Sequence, residues 1–151
     1  MKAKKRSTIS EGLPAGLPSL HRAFRLQDRA AGVGFDWPDV DGPAAKVEEE
    51  LGEVRAQLHD HPIERTPQGA PVHDDRHAAL EAELGDLLFA VVNLCRKAGV
   101  HASLALDKAN AKFSRRFAEV ERIAGERGIV VGEASLEQLD AIWDEVKASE
   151  R

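Results

Sequence analysis

The chain has 151 residues, 42% hydrophobic, 31% charged and only 5% aromatic, with no tyrosine and a formal net charge of −5. That length suits one domain around one sizeable core, and the shortage of aromatics argues against a sandwich or barrel. The acidic balance argues against duplex nucleic acid as the main partner, because a phosphate backbone recruits basic faces.

In chain order, the opening MKAKKRSTIS carries four basic residues and no acid. It reads as a disordered basic tail over residues 1–12, ahead of a single all-α domain over 13–151. No apolar segment of signal-peptide type follows it and no run of 18 apolar residues occurs, so neither a secretion signal nor a membrane partner is expected. A first helix is predicted from about Leu17 to Ala31, with Leu20, Phe24 and Ala31 inward. GVGFDWPDVDGP then forms a turn-rich connection, with Phe35 and Trp37 as expected core anchors. A second helix spans roughly Ala44 to Leu58. The segment HDHPIERTPQGAPVHDD holds three prolines and a glycine and reads as a long polar loop, of the length that suits lids and binding elements.

All seven prolines fall at or before Pro71, so long helices are expected beyond it. The third runs from about Arg76 to Ala98, with Gly99 as its C-terminal cap. The fourth begins near Ser103 and ends near Gly125 to Gly128. GIVV suggests a brief extended piece without a pairing partner. SLEQ is a capping box opening a fifth helix that carries Trp143. The expectation is an all-α fold of about five helices with a helical-bundle core. The lone Cys95 lies in an apolar helical stretch; it rules out an intrachain disulfide, reads as a small buried hydrophobe and suits a reducing, cytoplasmic location.

Two short stretches carry chemistry, ELGE at 50–53 and ELGD at 83–86. At about 100° per residue, Val47, Leu51, Val54 and Leu58 form one apolar stripe, and Leu80, Leu84, Leu87 and Val91 form another in the same register. Glu50 and Glu53 then occupy the same flank as Glu83 and Asp86. Four carboxylates at one dry edge repel unless a hard divalent cation sits among them, and all-oxygen ligation favours Mg²⁺ or Mn²⁺ over zinc or copper. A glycine costs up to about 1 kcal/mol inside a helix, so Gly52 and Gly85 are expected at close approaches. Glu48, Glu49 and Glu81 read from spacing alone as partly solvated acids.

Cations come from Lys112 and Arg116, an i,i+4 pair flanking the stripe of Leu106, Ala109, Phe113, Phe117 and Val120. Trp143 falls inward with Leu139, Ile142 and Val146, and Lys147 lies one turn on. His59, His61, His73 and His77 gather around the polar loop; His73 and His77, at i,i+4, could bind zinc if the third helix begins early, but loop histidines without cysteines more often stay unliganded. No Glu-x-x-His pair occurs, which argues against a di-iron carboxylate bundle.

KVEEELGE followed by EAELGDLLFAVVNLCRKAG resembles the MazG-type nucleoside triphosphate pyrophosphohydrolases, whose signature is Glu-Glu-x-x-Glu, a spacer, then Glu-x-x-Asp. GFDWPD, KFSRRF and SLEQLDAIWDEVK extend the likeness over nearly the whole chain. The resemblance implies an all-α, dimerising protein that uses Mg²⁺, with Mn²⁺ as a substitute, to hydrolyse nucleoside triphosphates to monophosphate and pyrophosphate. It implies Glu50, Glu53, Glu83 and Asp86 as metal ligands, and Glu49 with Glu50 as catalytic residues. Lys46, Val47, Glu48, Glu49 and Glu50 would lie along the nucleotide, as would Ala79, Leu80, Glu81 and Ala82, with Asp86 also touching substrate. Lys112 and Arg116 would hold the triphosphate, Trp143 would sit near the nucleotide, and Lys147 is a weaker phosphate contact. The 29-residue spacer is longer than usual, and the chain matches only the later domain of two-domain members. A non-catalytic helical dimerisation or nucleotide-binding module is the competing expectation.

Overall fold

The computed structural model describes residues 9–151. It holds five helices: α1 (Ser19–Gly32), α2 (Asp41–Asp60), α3 (Asp75–Lys97), α4 (Ala102–Glu126) and α5 (Leu136–Ser149), with no strand among the described residues. The all-α expectation therefore holds, and the bounds fall close to those read from proline, glycine and capping residues. The basic tail lies, through residue 8, outside the described residues. The chain divides into two compact units, one through Ser103 and one from Leu104 to Arg151.

In the first unit α3 packs against both α1 and α2. Its start is set by Asp74, whose carboxylate accepts the His77 backbone N–H at 2.9 Å; that bond holds the Asp74 carboxyl below its ordinary range. At its end Gly99 adopts φ +72°, which an L side chain resists. The Val100 N–H then reaches the Cys95 carbonyl at 2.8 Å and the Gly99 N–H the Arg96 carbonyl at 3.1 Å, the paired bonds of a Schellman ending. Before α1, the chain folds back so that Arg29 donates to the carbonyls of Ile9 and Glu11.

The apolar stripes are only half covered. Val54 is buried and Val47, Leu80 and Leu87 are half-buried, whereas Leu51, Leu58, Leu84 and Val91 stay exposed, and the buried residues of α3 are Ala90 and Val92, off its predicted stripe. Phe35 and Trp37 do not anchor the core: they are 82% and 43% exposed. The reason is local. The Trp37 ring packs against Gly42, where a Cβ would come within 2.4 Å of it, so the linker lays this ring over the start of α2 instead of turning it inward. Gly52 and Gly85 also differ from expectation, since a Cβ at either meets nothing within 4 Å.

The polar loop begins later than Leu58, because α2 continues to Asp60. It then closes as a tight reversal: Thr66 N–H to Ala70 O at 2.8 Å, Gly69 N–H to Thr66 O at 2.8 Å, and Val72 N–H to Glu64 O at 2.9 Å. The His73 and His77 rings lie 4.1 Å apart across the start of α3.

In the second unit Val120, Ala124, Ile142 and Val146 form the buried core, with Ile129, Val131, Leu139 and Trp143 packed around it. GIVV makes no extended strand; two of its residues fold onto this core instead. The predicted capping box is present: Ser135 Oγ accepts the Gln138 N–H at 3.2 Å and Gln138 returns a carbonyl to the Ser135 N–H at 3.0 Å. Replacing such a cap costs about 1 kcal/mol. Ser135→Ala is therefore expected to lower the melting temperature by several degrees, with Ser135→Asp restoring it, as read by circular dichroism.

Candidate metal centre and its cleft

The facing registers of α2 and α3 bring carboxylates together. Glu50, Glu83 and Asp86 each offer an oxygen within 4.8 Å of the others. Glu50 is only 5% exposed, Glu83 is half-buried and Asp86 is exposed. Glu50 Oε1 accepts from Lys46 Nζ at 2.6 Å, while its Oε2 is buried with no hydrogen-bond partner among the described residues. A bare buried carboxylate oxygen is costly, and here it belongs to a three-acid cluster. The donor set is all oxygen and anionic, which fits a hard divalent cation.

Glu53 is outside that tight trio but feels it. The Glu50 charge first, then desolvation, then the Glu83 charge raise its carboxyl above the ordinary range. All four bracket acids thus interact, three of them at ligating distance. Lys46 is the local counterweight, bonded to Glu49 at 2.8 Å as well as to Glu50. Glu49 first and then Glu50 hold its ammonium more firmly charged than usual.

Of the other expected contacts, Val47 is half-buried, while Glu48 and Glu49 are exposed at the surface of α2. Ala79 and Leu80 are half-buried, and Glu81 and Ala82 exposed, one turn before Glu83. In the second unit Arg116 donates twice to Glu150, at 2.8 and 2.6 Å, and its guanidinium carbon lies 6.0 Å from the Trp143 ring centre. That bond to Glu150 raises the Arg116 pKa further. Trp143 also meets Phe113 at 5.5 Å, Lys112 is exposed, and Lys147 pairs with Asp144 at 2.9 Å.

An open cleft of about 760 Å³ in the first unit is lined by Lys46, Glu50 and Asp86 together with residues that spacing alone did not single out: Gln27, Asn93, Arg96, Asp36 and Phe89. Arg96 and Lys97 both pair with Asp36, the latter at 3.2 Å. Arg96 above all draws the Asp36 carboxyl down to about 2. Gln27 carried one signal in the sequence: it is a polar residue on the inward stripe of Leu20, Phe24 and Ala31. Asn93 and Arg96 carried none, since polar residues near a helix end are common.

Residues 43–120 match the family model of the MazG nucleotide pyrophosphohydrolase domain. The chain is 41% identical over 147 residues to a protein of Escherichia coli K12 called nucleoside triphosphate pyrophosphohydrolase, covering 97% of this chain and 51% of that one. It is 39% identical over 147 residues to the nucleoside triphosphate pyrophosphohydrolase/pyrophosphatase MazG of Thermotoga maritima, with the same coverages. It is also 44% identical over 72 residues to YabN of Bacillus subtilis, 48% of this chain and 15% of that one. The chain thus spans about half the length of the curated relatives matched along nearly all of it.

A raised Glu53 pKa means the folded state holds this proton more tightly than the unfolded one. Its contribution is favourable below the ordinary glutamate pKa and is lost as pH rises through the raised value. A divalent cation reverses that loss, so the cation-induced rise in melting temperature is expected to be larger near about pH 8 than near about pH 4.5. Glu50→Gln should remove most of the rise. Differential scanning fluorimetry in chelator against added cation measures it, and equal shifts in wild type and variant would contradict the assignment.

Proposed function

The chain belongs to the MazG nucleotide pyrophosphohydrolase domain family, and from that membership we propose that it hydrolyses nucleoside triphosphates to the monophosphate and pyrophosphate, with Mg²⁺ as cation and Mn²⁺ as a substitute. The observation that carries this reading is the oxygen trio of Glu50, Glu83 and Asp86 at a cleft that also presents Lys46. Such a cation, when bound, offsets phosphate charge and lowers the pKa of a bound water.

The chain's own residues supply the rest. Glu50, Glu53, Glu83 and Asp86 would hold the cation. Glu49, exposed and one residue before the buried ligand, orients the attacking water and takes its proton as the water oxygen bonds to the α-phosphorus and the bond to pyrophosphate breaks. Lys46 tempers the acids, so that a polyanion is not repelled before the cation is in place. Lys112 and Arg116 bind phosphate oxygens, Arg116 exchanging its Glu150 carboxylate for phosphate; the Nε and Nη2 donors that converge on Glu150 Oε2 suit a phosphate oxygen equally. Lys147 adds a weaker contact. Trp143 serves its core and lies beside the nucleotide, and the backbone around Val47, Glu48 and Ala79, Leu80, Glu81, Ala82 lines it.

Among the described residues no helix is long and apolar enough to cross a membrane. We place the protein in the cytoplasm, clearing surplus or non-standard nucleotides, with no nucleic-acid partner. The exposed stripe of Leu84, Leu88 and Val91 on α3, beside Leu51 and Leu58 on α2, is offered as the face of a homodimer, because so much apolar surface along two adjoining helices favours burial against a second copy.

Pyrophosphate release over a panel of triphosphates, with and without Mg²⁺, tests the reading. Turnover is expected only with the cation, and Glu50→Gln and Asp86→Asn should each lower it by roughly a hundredfold or more. Both variants running at the wild-type rate would remove the metal assignment. No release from any triphosphate would favour the non-catalytic module.

A further inference from the structure

One carboxylate of the second unit collects three cations of α4. Arg116 Nε and Nη2 both donate to Glu150 Oε2, at 2.8 and 2.6 Å, and Glu150 Oε1 faces the Arg115 guanidinium at 3.9 Å. Arg116 first, against the opposing effect of burial, then Arg115 and Lys112 hold the Glu150 carboxyl below the ordinary glutamate range. It is therefore ionised at neutral pH. Lys112, Arg115 and Arg116 stand at i, i+3 and i+4, on one side of their helix, and Glu150 meets them from α5.

The position of this acid runs against its own helix. Glu150 is the C-cap residue of α5, where the last carbonyls make the local field negative and favour a cation. The apolar core of Val120, Ala124, Ile142 and Val146 already holds α5 to the unit. Side-chain exposures of 22% for Arg116 and 33% for Glu150 leave the pair open to an incoming anion. The Trp143 ring, 6.0 Å from the guanidinium carbon, gives Arg116 a second contact that does not depend on the acid. Two donors converging on one anionic oxygen is also how a guanidinium takes a single phosphate oxygen, so Glu150 stands where a phosphate would. Lys147 is likewise held by an acid of α5, Asp144, at 2.9 Å.

Resting on the hydrolase reading above, in which Arg116 takes phosphate, we propose that Glu150 is an internal competitor of the substrate: its carboxylate occupies Arg116 in the free protein and swings out when a polyphosphate binds. Apparent affinity for the polyanion is then set by the difference between the two anions on one guanidinium. A residue at the end of a helix, where the last turn frays readily, leaves without disturbing the core. The contact is autoinhibitory, and it makes the chain respond to multiply charged phosphates over weaker anions.

Calorimetric binding of inorganic tripolyphosphate to the full chain in chelator reads the competition without turnover. Glu150→Gln, which keeps the volume and removes the charge, is expected to bind it roughly fivefold more tightly than wild type. With Mg²⁺ and a triphosphate substrate, KM should fall by a similar factor at unchanged kcat. In an Arg116→Gln background the same change should alter affinity by less than about twofold, which separates release of Arg116 from a general loss of negative charge. If Glu150→Gln does not fold, the wild type carries the test: its Glu150 carboxylate ¹³C resonance should move towards that of a free glutamate as tripolyphosphate is added. Tighter binding by the variant without turnover of any triphosphate would sustain the competitor and sink the hydrolase reading. Equal affinities would overturn it. So would weaker binding by the variant, as loss of a mere support for Arg116 would give, an unmoved Glu150 resonance at saturation, or no binding of tripolyphosphate by either protein.

Discussion

Mutual repulsion among carboxylates is the constraint around which the first unit is organised. Three acidic oxygens within 4.8 Å of one another, one belonging to a buried residue, form an arrangement that an isolated protein avoids unless a positive charge relieves it. Lys46 supplies one such charge and binds a single Glu50 oxygen. The other oxygen stays bare, and Glu53 next to the cluster is pushed towards its protonated form. Charge balance is incomplete by design of the helices, and a hard cation is the species that completes it.

Helix geometry makes the convergence possible. Each acid pair is spaced i,i+3, so both members share one flank, and α2 packs along α3. The long uninterrupted α3, capped by Asp74 and ended at Gly99, serves as a common backbone: it contributes Glu83 and Asp86 to the carboxylates and, further along, Asn93 and Arg96 to the cleft. Its position between α1 and α2 lets a buried amide on α1 and a buried acid on α2 line one cavity.

The helices and the acid brackets were legible because both are periodic. Proline distribution, the SLEQ box and Gly99 set boundaries, and a repeat spaced 33 residues apart aligned two flanks without any tertiary knowledge. What was not legible depended on contacts across the chain. Phe35 and Trp37 have the composition of core anchors, yet Trp37 lies on Gly42 at the surface. Gly52 and Gly85 suggested close approach, and none exists among the described residues. Half of each apolar stripe is left exposed because α2 and α3 each bury only one side of it. Gln27 and Asn93 became informative only once the packing of α1 on α3 brought them to one cleft, which no spacing rule contains.

The most direct measurement is anomalous diffraction from crystals grown with Mn²⁺ and a non-hydrolysable triphosphate analogue. The account predicts a manganese peak at inner-sphere distance from the carboxylates of Glu50, Glu83 and Asp86, with phosphate oxygens completing the ion's shell. Ordered analogue with no peak among these side chains, or carboxylates turned away from one another, would contradict it.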